Sequence, residues 1–117
     1  MISLPDSTEI YIGVEPIHMN KSFDGLAALV SDVIDQNPLS GKLFVFRNRR
    51  KDKLKIFYWD RNGFVIWYKR LDKGRFKFPK SDALSYSITQ EDLKLLLDGI
   101  NLDKLKRFPQ LYYQAAL

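Results

Sequence analysis

The amino-acid sequence predicts an α+β fold in which an antiparallel β-meander is packed by two helices. Runs rich in β-branched and aromatic residues follow one another near 43–47, 53–59 and 64–70, with turn residues between them. Helical spacing of apolar residues occurs before this block, near 23–36, and again after it, near 90–98. A short N-terminal strand completes the predicted sheet.

The first two elements follow from residue type and spacing. Residues 9–14 form a short β-branched run that favours a strand, and Pro16 ends it. Ser22 is the predicted N-cap of the first helix, which the pair Asn37-Pro38 closes. Apolar residues recur at three- and four-residue steps along one side of this helix, so we expect that stripe to pack on the sheet. The opposite, acidic side carries Asp24, Ser31, Asp32 and Asp35.

Turn chemistry separates the strands of the meander. The pair Asn62-Gly63 is a strong signal for a two-residue hairpin turn, because both residues tolerate a positive φ. Residues 49–52 form a basic tip for the preceding hairpin, and residues 72–74 turn the chain after the third strand. Residues 75–78 are a candidate fourth strand.

Side chains of the second meander strand alternate in character. Leu54, Ile56 and Tyr58 form an apolar face that we expect to be buried. The opposite face begins with Lys53 and Lys55 and then becomes aromatic. The alternation predicts a strand with one face against a core.

The second helix has clear start and stop signals. A short strand is predicted at 86–88, directly before Thr89. Thr89 with Asp92 three residues later is the pattern of a capping box, which opens a helix over 90–98. Gly99 supplies the left-handed residue that ends it.

Length and composition indicate a single soluble domain. The 117 residues have room for one core, and 45% hydrophobic with 28% charged residues is ordinary for a globular protein. We therefore predict one domain over 1–117, with 103–117 as a docked or flexible tail. The chain has no cysteine, which excludes disulfide scaffolds and thiolate metal sites. No signal peptide or membrane span is predicted, so we expect a cytoplasmic protein with no membrane partner.

Positive charge is concentrated in the meander. Of the 19 Lys and Arg, 14 lie between Lys42 and Lys80, with only three of the 14 acids, a net charge of +11 that leaves −6 elsewhere. Such a field attracts polyanions to one region of the surface. The alternative is a solvated face that only keeps the protein soluble. The residues predicted to bind nucleic acid are Arg47, Arg49, Arg50, Lys51, Lys53, Lys55, Arg61, Lys69, Arg70, Lys73, Arg75 and Lys77.

The predicted nucleic-acid binding is of the non-specific kind. Tyr58, Trp59, Trp67 and Tyr68 are candidates for stacking on bases, although aromatic residues in strands more often pack in a core. No helix-turn-helix, zinc-finger or ribonucleoprotein consensus occurs. The sequence therefore predicts a surface for polyanions and no base code.

Catalytic chemistry has little support. His18 is the sole histidine, and the glycines never approach the spacing of a phosphate-binding loop. A two-metal nuclease would have to draw on central carboxylates, several of which belong to turns where Asp is favoured for backbone hydrogen bonding. We predict no catalytic residue, no metal ligand and no cofactor. The carboxylates considered for a metal site are Asp24, Asp52, Asp60 and Asp72.

The central block resembles the TnpB accessory proteins, also called Orf2, of the insertion sequence 66 (IS66) family of bacterial transposable elements. The resemblance covers nearly 10–102. Where that family usually has Asp-Met-Arg-Lys, this chain has His18-Met-Asn-Lys21, and Phe78 replaces a frequent tryptophan. The matching runs are 23–30, 41–50, 53–60, 62–64, 68–71, 74–76 and 99–100.

The resemblance implies a small protein encoded beside the large transposase of the element and needed for transposition, without established catalytic activity. We therefore expect a non-catalytic accessory protein that binds transposon DNA, at its ends or non-specifically, through a basic sheet surface. On DNA it would be associated with the nucleoid. The transposase and the other accessory protein of the element are further expected partners. Two alternatives stay open, namely an adaptor that binds only proteins and a small metal-dependent nuclease.

Overall fold

Residues 4–101 are described by the computed structural model, in which five strands and two helices form. The predicted tail at 103–117 lies outside these residues. The strands are β1 (Ile10–Gly13), β2 (Leu43–Arg47), β3 (Lys53–Asp60), β4 (Gly63–Arg70) and β5 (Ser85–Ile88). The helices are α1 (Phe23–Leu29), continued by a π-helical segment (Val30–Ile34), and α2 (Gln90–Leu97).

The strands form one sheet in the order β4-β3-β2-β1-β5. The predicted meander is confirmed, because β2 pairs antiparallel with β3 and β3 antiparallel with β4. β5 is antiparallel to β1. β1 lies parallel to β2, since the long connection through α1 brings the chain back to the same end of the sheet. The fold is therefore α+β with a mixed, mostly antiparallel sheet.

Each helix covers one face of the sheet. On the α1 face, Leu26 and Val30 pack in a buried cluster with Phe57 of β3. On the α2 face, Leu93 and Leu96 pack in a second cluster with the predicted apolar side of β3. The sequence predicted one buried face for β3, and α1 buries much of the other as well.

The first helix differs from its predicted form at both ends. Ser22 occupies the N-cap position, but its side chain makes no capping hydrogen bond. The helix widens into the π-helical segment and ends at Asp35, whose φ of 59° is left-handed, before the predicted stop at 37–38. Within this segment Val30 and Ile34 are buried, whereas Val33 remains 36% exposed.

The β3–β4 turn uses other residues than the predicted Asn-Gly pair. Asp60 pairs with Gly63, which leaves Arg61 and Asn62 as the loop. Arg61 takes the positive φ, 53°, while Gly63 is the first residue of β4 and lies outside the left-handed region. The sequence located the hairpin correctly but placed its loop one residue too late.

The prediction of a fourth meander strand at 75–78 is wrong. This segment has no strand structure, although its side chains alternate in exposure as they would in a strand. Phe76 is fully buried in the α2-face cluster, and Arg75 and Lys77 on either side of it are exposed. Burial of one aromatic ring produces the alternation without a ladder of backbone hydrogen bonds.

The predicted capping box of α2 is confirmed. The Thr89 side chain accepts a hydrogen bond from the backbone N–H of Asp92, and the Asp92 carboxylate accepts one from the backbone of Thr89. Gly99 ends the helix with a φ of 78°. Neither helix of the described chain is long and apolar enough to cross a membrane.

Gly63 in the β3–β4 hairpin and Gly99 at the end of α2 should respond differently to substitution by alanine. A Cβ at Gly63 or at Gly99 would meet no atom within 4 Å, so the two sites differ mainly in backbone conformation. We expect Gly63→Ala to leave the free energy of unfolding unchanged or slightly raised. Gly99→Ala, at left-handed φ, should lower it by about 1–2 kcal/mol. Urea denaturation of both variants tests this, and equal losses would contradict the assignment of the turn.

Candidate nucleic-acid interface

Most of the predicted cations lie at one end of the sheet, which we call the basic end. The turn between β2 and β3 lies there, and so do the last residues of β4 and the segment that follows. Arg61 lies at the opposite end, in the β3–β4 turn. The cations of the basic end are Arg49, Arg50, Lys51, Lys53, Arg70, Lys73, Arg75 and Lys77.

Asn48 builds the tip of the β2–β3 hairpin. Its side-chain oxygen accepts a hydrogen bond from the backbone N–H of Lys53 at 3.1 Å, and its amide donates to the Asp52 carboxylate at 2.6 Å. The backbone N–H of Lys51, a residue with φ of 64°, closes the turn onto the Asn48 carbonyl. The two arginines between Asn48 and Lys51 are therefore held in an exposed, ordered tip.

A second basic segment is attached to this tip by its backbone. Leu71 donates its N–H to the Asp52 carbonyl at 2.8 Å, and Phe76 donates to the Lys51 carbonyl at 2.7 Å. The buried Phe76 ring holds the segment in place on the α2 face. The attachment brings to the tip three exposed cations, Lys73, Arg75 and Lys77.

One aromatic residue keeps a large exposed surface beside these cations. Tyr68 is 50% exposed and lies on the α1 face of β4, the face that also carries Lys53 and its cross-strand partner Arg70. Of the other aromatic candidates, Tyr58 is buried in the core, and Trp59 and Trp67 are half-buried. Tyr68 is thus the candidate with a ring face available for stacking.

Lys55 has a structural role. It is 7% exposed, and its Nζ donates to the backbone carbonyls of Met19 and Lys21 at 2.5 and 2.8 Å. The ammonium also lies 5.0 Å from the Tyr68 ring centroid. Burial lowers the pKa of Lys55. Because its charge is used to hold the loop before α1, Lys55 does not belong to the exposed surface.

Arg47 and Lys69 also donate to backbone carbonyls. Arg47 bonds to Val14 at 3.0 Å and to Asn48 at 3.2 Å, and its guanidinium lies 5.6 Å from the Phe78 ring centroid. Burial lowers the pKa of Arg47. Lys69 donates to the carbonyl of Leu97 in the last turn of α2 at 2.9 Å, where a cation also interacts favourably with the helix dipole.

Among residues 4–101 the cations of the basic end form no close ion pair, although Asp52 interacts electrostatically with Arg50 and Lys53. The ion pairs in this part of the chain join Lys42 to Glu9 at 3.0 Å and Arg61 to Asp60 at 3.5 Å, and both lie elsewhere. Asp52 is at the basic end, but its carboxylate accepts the hydrogen bond of Asn48. The eight cations at this end outnumber its two carboxylates, Asp52 and Asp72.

The carboxylates considered for a metal site are dispersed. Asp24 lies on α1, Asp52 and Asp72 lie at the basic end, and Asp60 lies at the opposite end next to Arg61. Nowhere in the described part of the chain do three His, Asp or Glu residues come close enough to hold a metal ion. These four carboxylates therefore do not form a two-metal centre.

Residues 8–107 match the protein family described as "IS66 Orf2 like protein". The chain belongs to the IS66 Orf2-like family. Members of this family are insertion-sequence accessory proteins and are generally regarded as non-catalytic. The resemblance inferred from the sequence is confirmed.

Two relatives from Sinorhizobium fredii strain NGR234 are similar to the IS66 Orf2-like chain over most of their length. One, the uncharacterized protein y4jC, is 32% identical over 109 residues, which cover 93% of each chain. The other, the uncharacterized protein y4hO, is 36% identical over 101 residues, which cover 86% of this chain and 88% of the relative. No solved structure matches the chain significantly.

Lys55 and Lys53 lie on the same face of β3. Substitution of each by methionine should show that Lys55 stabilises the fold and that Lys53 does not. Lys55→Met removes two hydrogen bonds from a charged donor, so we expect the free energy of unfolding to fall by about 1.5–3 kcal/mol. Lys53→Met should change it by less than about 0.5 kcal/mol. Urea denaturation measures both. Equal effects would contradict the structural role of Lys55.

The hydrogen bond between Asn48 and Asp52 in the β2–β3 hairpin leads to a prediction about the pKa of Asp52. The hydrogen bond from Asn48 lowers the pKa of Asp52 in the folded protein. This contribution to stability is present above the ordinary pKa of Asp and is lost as the pH falls through the lowered value. We expect Asn48→Ala to raise the pKa of Asp52, measured by NMR titration of its carboxyl carbon. Asn62→Ala in the other hairpin is the control and should leave it unchanged; an equal rise would contradict the assignment.

Proposed function

We propose that this IS66 Orf2-like protein assists transposition by binding transposon DNA through the basic end. The observation that supports the proposal is the attachment of the 71–77 segment to the β2–β3 hairpin, which holds two basic stretches of the chain side by side. Exposed Lys and Arg bind phosphates and release counterions. The transposase and the second accessory protein of the element are proposed partners in the same complex, in the bacterial cytoplasm.

Most of the proposed binding free energy comes from phosphate contacts and does not depend on the DNA sequence. Phosphate contacts fix the position of a protein on DNA but carry no base information. Both helices pack their apolar sides on the sheet, and neither belongs to the basic end that we propose as the contact surface. Tyr68 is the proposed stacking residue wherever a base is unpaired, as at a processed transposon end.

The proposal fits a non-catalytic role in which the chemistry of transposition belongs to the transposase. The dispersed carboxylates support this assignment of roles. Strand nicking by the purified protein with Mg²⁺ or Mn²⁺ that is lost on Asp60→Asn would instead support the nuclease alternative.

Replacement of Arg49, Arg50 and Lys51 together by alanine tests the proposal. With about four to six phosphates contacted, the slope of log K against log salt should be roughly −4 to −5 on duplex DNA. The triple variant should bind all duplex sequences more weakly and with a shallower slope, since it loses phosphate contacts. Fluorescence anisotropy at several salt concentrations measures both quantities.

A charge-matched control separates local contacts from net charge. Alanine at Lys42, Arg61 and Lys94 removes the same three charges from positions away from the basic end. This control should retain most of the affinity and nearly the full salt slope. If both triple variants lose affinity equally, or if neither loses any while circular dichroism shows an intact fold, the basic end is not the DNA-binding surface and the adaptor alternative is favoured.

A further inference from the structure

A cleft of about 490 Å³ opens on the α1 face beside the basic end. It lies between the loop at 14–21, the π-helical segment and the tip of the β2–β3 hairpin. Contacts to DNA phosphates need exposed cations and no concave apolar surface. The proposed DNA binding therefore leaves the apolar inside of the cleft without a role.

The inside of the cleft is apolar. Gly13 and Phe46 lie at its floor, and a Cβ at Gly13 would stand 3.0 Å from the Phe46 ring, so glycine permits this close packing. Val33 and Leu84 line the cleft and are 36% and 57% exposed. Val33 belongs to the π-helical segment, in which Val30 and Ile34 are the buried residues. Apolar side chains exposed in a cleft are stabilised when a partner removes them from water.

The rim of the cleft is cationic. Four basic residues line it, against the single carboxylate of Glu15 among the described lining residues. Two of the four, Arg49 and Arg50, lie in the tip that Asn48 holds in place. Arginine pairs with carboxylates through two parallel hydrogen bonds. The other two cations of the rim are Lys21 and Lys53.

We propose that the cleft binds an acidic peptide segment of a partner protein. An apolar side chain of the peptide enters between Val33 and Leu84, and neighbouring carboxylates pair with Arg49 and Arg50. The volume is in the range of pockets that bury a small ligand or a few side chains. The cationic rim favours an acidic partner because the charges are complementary. The apolar floor favours a partner with one large apolar side chain that anchors it in the cleft.

Other occupants fit the cleft less well. Duplex DNA matches the charge of the rim but presents no apolar side chain to the floor. The segment 102–117 of this chain carries three cations and one acidic side chain, so it offers the arginines of the rim only one side-chain carboxylate. An acidic segment with an apolar anchor satisfies both the rim and the floor.

A random peptide library selected on the full-length protein tests the proposal. We expect the selected sequences to combine Asp or Glu with a large apolar residue, and to lose binding when that apolar residue is replaced by serine. Selection of purely acidic sequences, or of none, would overturn the proposal, because the cleft would then act only as a charged surface.

Variants of the cleft locate the binding. Val33→Gln with Leu84→Gln should weaken a selected peptide at least about tenfold in fluorescence anisotropy, a loss of about 1.4 kcal/mol. Ile100→Gln with Leu39→Gln is the matched control, because these residues are 37% and 54% exposed and lie outside the cleft. The control should bind the peptide as the wild type does. Equal binding by both double variants would overturn the proposal.

Binding of duplex DNA, measured in the same assay, distinguishes the peptide proposal from the proposed DNA binding. The cleft variant should bind duplex DNA as tightly as the wild type, since it loses no charge. If it loses DNA and peptide together while circular dichroism shows an intact fold, the cleft is part of the DNA surface and the peptide proposal is overturned. If the wild type binds the peptide but no DNA, the proposed function fails and the peptide proposal stands.

Discussion

The burial of Phe76 is the constraint on which the basic end depends. Its ring fills part of the α2-face core, and its N–H bonds to the Lys51 carbonyl, so the chain after β4 must run beside the β2–β3 hairpin. Without this anchor the cations at 73, 75 and 77 would have no fixed position relative to the arginines of the tip. A fully buried phenylalanine contributes roughly 1.5–3 kcal/mol by removal from water, enough to order a short loop segment. Hydrophobic packing thereby sets where these cations lie relative to the hairpin tip.

The basic residues divide into two groups by what their charges contact. Three of them donate to backbone carbonyls and join other segments to the sheet. Arg47 bonds to the residue after β1, Lys55 to the loop before α1, and Lys69 to the last turn of α2. By contrast, Arg49 and Arg50 at the hairpin tip and the cations at 73, 75 and 77 are exposed. A block of positive charge in a sequence is therefore both part of the scaffold and part of the candidate interface, and the two groups respond to substitution in different ways.

The sequence predicted the elements whose signals are local. Strand alternation and turn residues located the meander, and Thr89 with Asp92 located the start of α2. It did not predict that β1 lies parallel to β2, nor that Lys55 reaches the Met19 carbonyl, because both depend on residues more than thirty positions apart. The wrongly predicted strand at 75–78 shows that an alternation of apolar and charged residues indicates alternating burial and does not require paired backbones. Asn48 was also missed, although a turn-forming residue directly before a basic tip was a usable signal.

We propose that hydrophobic anchoring at Phe76 assembles one DNA-binding surface from two basic stretches of this IS66 Orf2-like protein. Mapping of backbone amide chemical shifts during titration with a short duplex DNA tests it most directly. We expect the largest changes at 48–53 and 70–77 together, with small changes at Arg61 and along α2. Changes confined to one of the two basic stretches, centred on the helices, or absent at saturating DNA would contradict it.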